Sequence, residues 1–171
     1  MIDIHDYNKI IIIGSGGSGK STFAKQLGEA TGLPVIHLDK EYWQPNWVET
    51  LRDEWIEKQK QFISGEKWII DGNYGGTLEL RFAAAELVIF LDINRLVCVY
   101  SAARRTGKKR SDLPENLQEP KMLSKDFFDF AKWIWSYPKT GKKKVLALHE
   151  KYPDKPFLRI KSRRELERYL K

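Results

Sequence analysis

The run Gly14-Ser15-Gly16-Gly17-Ser18-Gly19-Lys20-Ser21 constrains this chain more than any other feature. Before it stands Lys9 to Ile13, a short unbroken β-branched run of the kind covered on both faces at the centre of a parallel sheet. After it, Ser21 to Ala30 reads as a helix that ends near Gly32 and Pro34. Strand, glycine loop and helix in that order satisfy the full G-x-x-x-x-G-K-[ST] pattern of a phosphate-binding loop. The residue types have physical reasons. Glycines let the backbone turn left-handed and come close to phosphate oxygens. Successive N–H groups then point inward as an anion nest, backed by the positive end of the helix dipole. Gly14, Ser15, Gly16, Gly17, Ser18, Gly19 and Thr22 are therefore expected to wrap a nucleotide's phosphates. Lys20 places a charge between the β- and γ-phosphates, and the Ser21 hydroxyl ligates Mg²⁺. The expected ligands are ATP, or a related nucleotide, and Mg²⁺.

Four more strands are expected, at Pro34 to Leu38, Trp68 to Asp71, Leu87 to Leu91 and Phe157 to Ile160. Helices are expected between them. One starts at a capping-box pair, Thr50 and Asp53, with a stripe through Leu51, Trp55, Ile56, Gln59, Phe62 and Ile63. A second is capped by Asn94 and runs to about Arg104. A third is capped by Ser124 and carries Phe127, Phe130, Ala131, Ile134 and Trp135 on one face, with Trp55 and Trp135 expected in the core. Ser162 and Glu165 form a second capping-box signature before a last helix. Alternating strands and helices imply right-handed βαβ units. The expected fold is an α/β P-loop NTPase, three layers in an α/β/α arrangement with a parallel sheet of about five strands. Ligands of such sheets bind beyond the carboxyl ends of the strands, which groups the glycine loop with Asp39, Asp71, Gly72 and Asp92.

The 171 residues suit one domain over 1–171, and 42% hydrophobic with 31% charged residues excludes a disordered chain. No apolar run reaches the roughly 18 residues of a membrane span. The N-terminus does not read as a secretory signal, and the single cysteine, Cys98, falls in an apolar helical stretch as an inert core thiol. The expected location is the reducing cytoplasm. The net charge of +7 gathers in Arg104 to Arg110, Lys142 to Lys144 and Arg163-Arg164. Such clusters suit polyanions, whether nucleotides, phosphorylated substrates or nucleic acid.

Beyond the generic loop, His37-Leu38-Asp39-Lys40-Glu41-Tyr42-Trp43, Trp68-Ile69-Ile70-Asp71-Gly72-Asn73-Tyr74 and Phe130-Ala131-Lys132-Trp133-Ile134-Trp135 carry a likeness over nearly the whole chain. The sequence resembles the bacterial "DNA topology modulation protein" (FlaR-like) family, relatives of adenylate kinase. The resemblance implies an adenylate-kinase-like fold with an acceptor-binding segment at about 40–66 and a mobile lid at about 104–123. It also implies that Arg104, Arg105 and Arg110 of that lid stabilise the transferring phosphoryl group. Lid closure would exclude water. Two departures stand out. The position matching the base-stacking arginine of adenylate kinases falls near Tyr100 or Ser101, and Gly72-Asn73-Tyr74-Gly75 replaces their Gly-Phe-Pro-Arg, with Arg81 several residues on. An ordinary AMP site is therefore not expected.

Asp39, at the end of the second strand, is expected to orient or deprotonate an acceptor hydroxyl, with a capping role as the alternative. Asp71 is expected to hold Mg²⁺ through water alongside Ser21, with a structural role at the strand end as the alternative and Asp92 as a weaker candidate. Trp43 and Trp47 are expected to line the acceptor region, with core filling as the alternative, and to be joined there by Asp71, Gly72, Asn73 and Arg81. His37 reads as a packed strand residue; Lys161, Ser162 and Arg163 resemble the segment that packs on the base in adenylate-kinase relatives, which implies that Arg163 stacks there, with a capped helix start as the alternative. A kinase for a small-molecule hydroxyl or phosphate acceptor is the leading expectation. A nucleic-acid-associated ATPase and a slow regulatory nucleotide-binding protein are the alternatives, and no nucleic-acid module is apparent in the sequence.

Overall fold

A computed structural model describes residues 2–108, 112–115, 117 and 121–170. Strand β1 (Lys9–Gly14) holds the centre of the sheet, and Ile10, Ile11, Ile12 and Ile13 are wholly removed from solvent. Strands β2 (Val35–His37), β5 (Trp68–Asp71), β6 (Leu87–Leu91) and β7 (Phe157–Ile160) complete a parallel sheet in the order β2-β5-β1-β6-β7. All five strands lie where the sequence places them. Because side chains alternate along β1, Ile10 and Ile12 enter one core and Ile11 and Ile13 the other.

The first core is covered by α1 (Lys20–Thr31) through Phe23 and Leu27, α5 (Arg95–Arg105) through Cys98 and Ala102, and α6 (Lys125–Ser136) through Ile134. The second is covered by α3 (Arg52–Ser64) through Trp55, α4 (Leu78–Ala84) through Phe82, and α7 (Gly141–Lys151) through Val145 and Leu148. The three-layer expectation is met. Truncating one central isoleucine to alanine would cost roughly 2–5 kcal/mol, because a buried cavity is left behind.

Asn94 and Ser124 cap α5 and α6 through their side chains, accepting from Leu96 N and Phe127 N. The capping box at Thr50 does not form. Leu51 is the N-cap, and the Thr50 hydroxyl donates instead to the Tyr42 carbonyl at 2.5 Å. That bond closes an element absent from the sequence reading. The short α2 (Leu38–Tyr42) runs into an antiparallel hairpin of β3 (Trp43–Gln44) and β4 (Val48–Glu49). At Ser162 the hydroxyl donates to Glu165 Oε1 at 2.9 Å rather than accepting from the backbone of α8 (Arg163–Leu166). Trp135 is 47% exposed rather than core, with the Arg95 guanidinium 4.0 Å from its ring centroid. Helix α7, which carries the lysines 142–144 in its first turns, is a further element absent from the sequence reading. No helix among the described residues is long and apolar enough to cross a membrane.

Candidate functional site: a phosphate loop facing an acidic aromatic wall

The glycine loop joins the carboxyl end of β1 to the start of α1, with Gly17 and Gly19 at φ of +74° and +101°. At Gly17 the loop lies against α5 so closely that a Cβ would collide with the Cys98 carbonyl. No larger residue fits there. Helix α1 opens with no side-chain cap and no acidic residue in its first turn. Its leading N–H groups and dipole are therefore kept for an anion. Lys20 Nζ donates to the Ser15 carbonyl at 3.0 Å, folded back along the loop.

Asp71, at the carboxyl end of β5, is 3% exposed. Its Oδ2 accepts from the Ser21 hydroxyl at 2.8 Å, and its Oδ1 lies 2.6 Å from His37 Nδ1. Burial alone would lower the His37 pKa. The contact with Asp71 and the nearby Asp112 and Asp39 charges outweigh it, and the net direction is upward. The sequence reading had His37 as a packed strand residue, yet it lines the cavity. Its position at the carboxyl end of β2 was the signal that could have found it.

The loop after β5 is bolted to the phosphate loop. Asn73 Nδ2 donates to the Gly14 carbonyl at 2.6 Å, and Asn73 Oδ1 accepts from Gly14 N at 3.2 Å and from the Tyr137 hydroxyl at 3.2 Å. Tyr74 donates its hydroxyl to Asp39 Oδ1 at 2.7 Å. Burial first, and the Asp39 charge second, push the Tyr74 phenol far above its ordinary pKa, so it remains a donor. Arg81 does not reach the cavity as expected. It is fully buried and donates to the carbonyls of Gly72, Asn73 and Tyr74 at 3.0, 2.7 and 3.2 Å. Burial lowers its pKa to about 9, so it is still charged at neutral pH. Arg81 therefore shapes the loop from beneath.

These elements surround one cavity of about 860 Å³. Gly16, Gly17, Gly19, Lys20, Ser21 and Thr22 line its phosphate side, with Arg105 beside them. Asp39, Trp43, Trp47, Gly72 and Asn73 line it too. Asp71 and Arg81 lie behind this lining. Arg104 does not share the cavity with Arg105. It is exposed, 5.8 Å from the Tyr100 ring centroid, because successive helix residues point about 100° apart. Arg110 lies outside the described residues. Asp92 is also withdrawn, held by Lys142 at 2.9 Å and Arg159 at 2.6 Å. Arg163 donates to the Gly17 carbonyl at 2.6 Å and the Ser101 hydroxyl at 2.7 Å, bracing the loop without lining the cavity. Phe130 and Trp133 do line it, their rings stacked at 5.8 Å and 12°. The Phe130 ring comes within 2.7 Å of where a Cβ on Gly16 would sit. The amphipathic pattern revealed their helix but not that it rests on the loop.

Sheet order, glycine loop and flanking helices define a P-loop NTPase fold of the adenylate-kinase-like type. Two solved structures are similar to it throughout. The shikimate kinase of Acinetobacter baumannii, in complex with shikimate, is 12% identical over 97% of this chain and 92% of its own, with a TM-score of 0.61. That of Bacteroides thetaiotaomicron is 15% identical over 94% and 93%, with a TM-score of 0.55. No protein-family model matches the sequence, and no curated protein matches it.

Proposed function

We propose that the protein is a small-molecule kinase that transfers the γ-phosphoryl group of ATP to an acceptor hydroxyl. One observation carries the reading: a phosphate cradle and the carboxylate of Asp39 line the same cavity. The fold shared with two shikimate kinases agrees with it, as does the resemblance to the FlaR-like relatives of adenylate kinase.

In this reading the loop amides and the start of α1 hold the phosphates. Lys20 leaves the Ser15 carbonyl to meet them. The hard oxygens of Ser21 and Asp71, already paired, suit Mg²⁺ and would hold it. Bound there, Mg²⁺ neutralises charge on the phosphate oxygens. Arg105 stabilises the transferring group, and the segment 104–123, including Arg110, serves as the lid. The segment 40–66 carries the acceptor side. Asp39, oriented by Tyr74, accepts the proton of the acceptor hydroxyl. His37 holds Asp71 in place.

The test is Asp39→Asn, assayed for phosphoryl transfer and for MgATP binding. Transfer should fall about 100-fold or more, the usual worth of a general base, with nucleotide affinity nearly unchanged. Equal loss of both would make Asp39 a structural residue and remove it from the chemistry.

A further inference from the structure

Two aromatic pairs from distant parts of the chain line the cavity. Trp43 and Trp47 of the hairpin meet edge to face at a centroid distance of 5.3 Å, and Phe130 and Trp133 of α6 stack on each other and rest on Gly16. Both pairs are tied to neighbouring residues of the loop after β5. Trp43 touches the Tyr42 ring at 5.0 Å, and Tyr42 touches the Tyr74 ring at 4.6 Å. Trp133 meets the Tyr137 ring at 5.8 Å, and the Tyr137 hydroxyl donates to Asn73. Asp39 lies among these contacts. The Tyr74 hydroxyl donates to its carboxylate, and the Trp43 N–H donates to its backbone carbonyl at the end of α2.

In the kinase reading Asp39 marks the place of the acceptor hydroxyl. The base of ATP lies beyond the ribose and the α- and β-phosphates from the phosphorus that this hydroxyl attacks. Rings joined to Asp39 therefore meet the acceptor rather than the base. Several polar side chains beside them are engaged within the protein. Asn73 bonds Gly14 and Tyr137 through its amide, Tyr74 bonds Asp39 through its hydroxyl, and His37 Nδ1 is held by Asp71. A polyol would have to displace these bonds to be read by them. A flat ring stacks on the indoles and leaves them in place. The hairpin tip points the same way. Asn46 and Trp47 take φ of 63° and 59°, where asparagine and then glycine are natural in a tight primed turn. A tryptophan at the second position carries backbone strain that glycine would not, and such strain gathers at ligand-holding positions. Trp47 is left 39% exposed and Trp133 40%, so both keep ring surface for a ligand.

Resting on the kinase reading above, we infer that the acceptor is a hydroxyl compound built on a flat aromatic or heteroaromatic ring, and that Trp43, Trp47, Phe130 and Trp133 select it over non-aromatic polyols. The ring stacks on the surface these side chains leave open, and a hydroxyl on its substituent reaches Asp39. The oxygen of that hydroxyl attacks the γ-phosphorus and forms the new P–O bond. The bond from the γ-phosphorus to the β–γ bridging oxygen breaks, and ADP leaves with the electron pair. The hydroxyl proton passes to Asp39.

The experiment measures ADP release and acceptor phosphorylation with the full chain, MgATP and two acceptor sets. One set is aromatic: adenosine, thymidine, pyridoxine and 4-hydroxybenzyl alcohol. The other is non-aromatic: ribose, glucose, myo-inositol and shikimate. The expected result is transfer to a member of the aromatic set alone. For that acceptor, Trp47→Gly, which keeps the left-handed turn, should raise KM roughly tenfold, the loss of one stacking contact, with the KM for ATP unchanged. Trp133→Ala should act in the same direction, and Trp47→Phe should restore most of the loss. Transfer to non-aromatic compounds alone, or to both sets with equal kcat/KM, overturns this inference and leaves the kinase reading standing. An acceptor KM unchanged in both Trp47→Gly and Trp133→Ala overturns it too, and a raised KM for ATP in its place assigns the rings to the nucleotide base. No transfer to either set, with slow hydrolysis of ATP, removes the kinase reading and this inference with it.

Discussion

Arg81 is the residue whose replacement tests the architecture of the site most directly. Its guanidinium is fully buried and holds three successive carbonyls, those of Gly72, Asn73 and Tyr74. Methionine in its place keeps much of the volume and removes every donor. Hydrogen bonds from a charged donor contribute roughly 1.5–3 kcal/mol each, so three give about 4.5–9 kcal/mol before costs. Burying the cation costs several kcal/mol, which the substitution returns. The net destabilisation of Arg81→Met is therefore about 2–4 kcal/mol. At roughly 2–4 °C per kcal/mol for a chain of this size, the midpoint of thermal unfolding should fall by about 4–16 °C. The effect should reach beyond stability. The released loop carries Asn73, which bolts Gly14 in place, and Tyr74, which orients Asp39. Nucleotide affinity and transfer should both fall in the variant at temperatures where it is folded. Arg81→Lys should be intermediate, since one ammonium does not span three carbonyls in a fork. Differential scanning calorimetry with a MgATP titration reads both effects. A midpoint within about 2 °C of the parent protein, with unchanged nucleotide affinity, would refute the reasoning.

Lys20→Ala should reduce nucleotide turnover by orders of magnitude with circular dichroism and thermal midpoint preserved, because Lys20 is partly exposed and donates to the Ser15 carbonyl of the loop; an unchanged rate would take the phosphate loop out of the chemistry. Gly17→Ala, at φ +74° and against the Cys98 carbonyl, should destabilise the protein and lower nucleotide affinity, whereas Gly32→Ala, at φ +72° with nothing within 4 Å, should show the backbone strain alone. Equal unfolding midpoints for the two variants would argue against the close approach of loop and α5. Burial raises the Asp92 pKa, but the hydrogen bonds from Lys142 and Arg159 outweigh it and hold the carboxyl below its ordinary range. Its stabilising effect is thus present above the unfolded value of about 4 and is lost as pH falls through the lower folded value. Asp92→Asn should flatten the acid limb of the stability profile, and an unaltered limb would show that the two ion pairs contribute nothing there.

The phosphate loop and all five strands were legible because each is a local pattern. Lys9 to Ile13 is β-branched throughout, and a strand at the centre of a parallel sheet needs apolar groups on both faces. The loop's glycines answer to backbone geometry that no other residue supplies. Asp39 was placed at the site by strand polarity alone, since ligands of such sheets gather beyond the carboxyl ends. Helix caps were legible only where the capping side chain had no better partner. Ser124 caps α6, whereas Thr50 finds the Tyr42 carbonyl across the hairpin.

What the tertiary structure decided was the direction and company of side chains. Arg104 and Arg105 are equivalent as letters, and the pitch of α5 brings Arg105 alone to the cavity. Arg81 looked like a substrate ligand until burial turned it into the support of a loop. His37 and Asp71, 34 residues apart, become partners only when β2 and β5 pair in register. Phe130 and Trp133 reach the phosphate loop because α6 packs on α5, which is itself pressed against Gly17. The sequence by itself determined the strands, the anion loop and the end of the sheet where a ligand belongs, since these follow from backbone conformation and hydrophobic period. The make-up of the wall facing that ligand was decided by packing between distant segments, because short-range patterns carry no information on which side chains meet across a cavity.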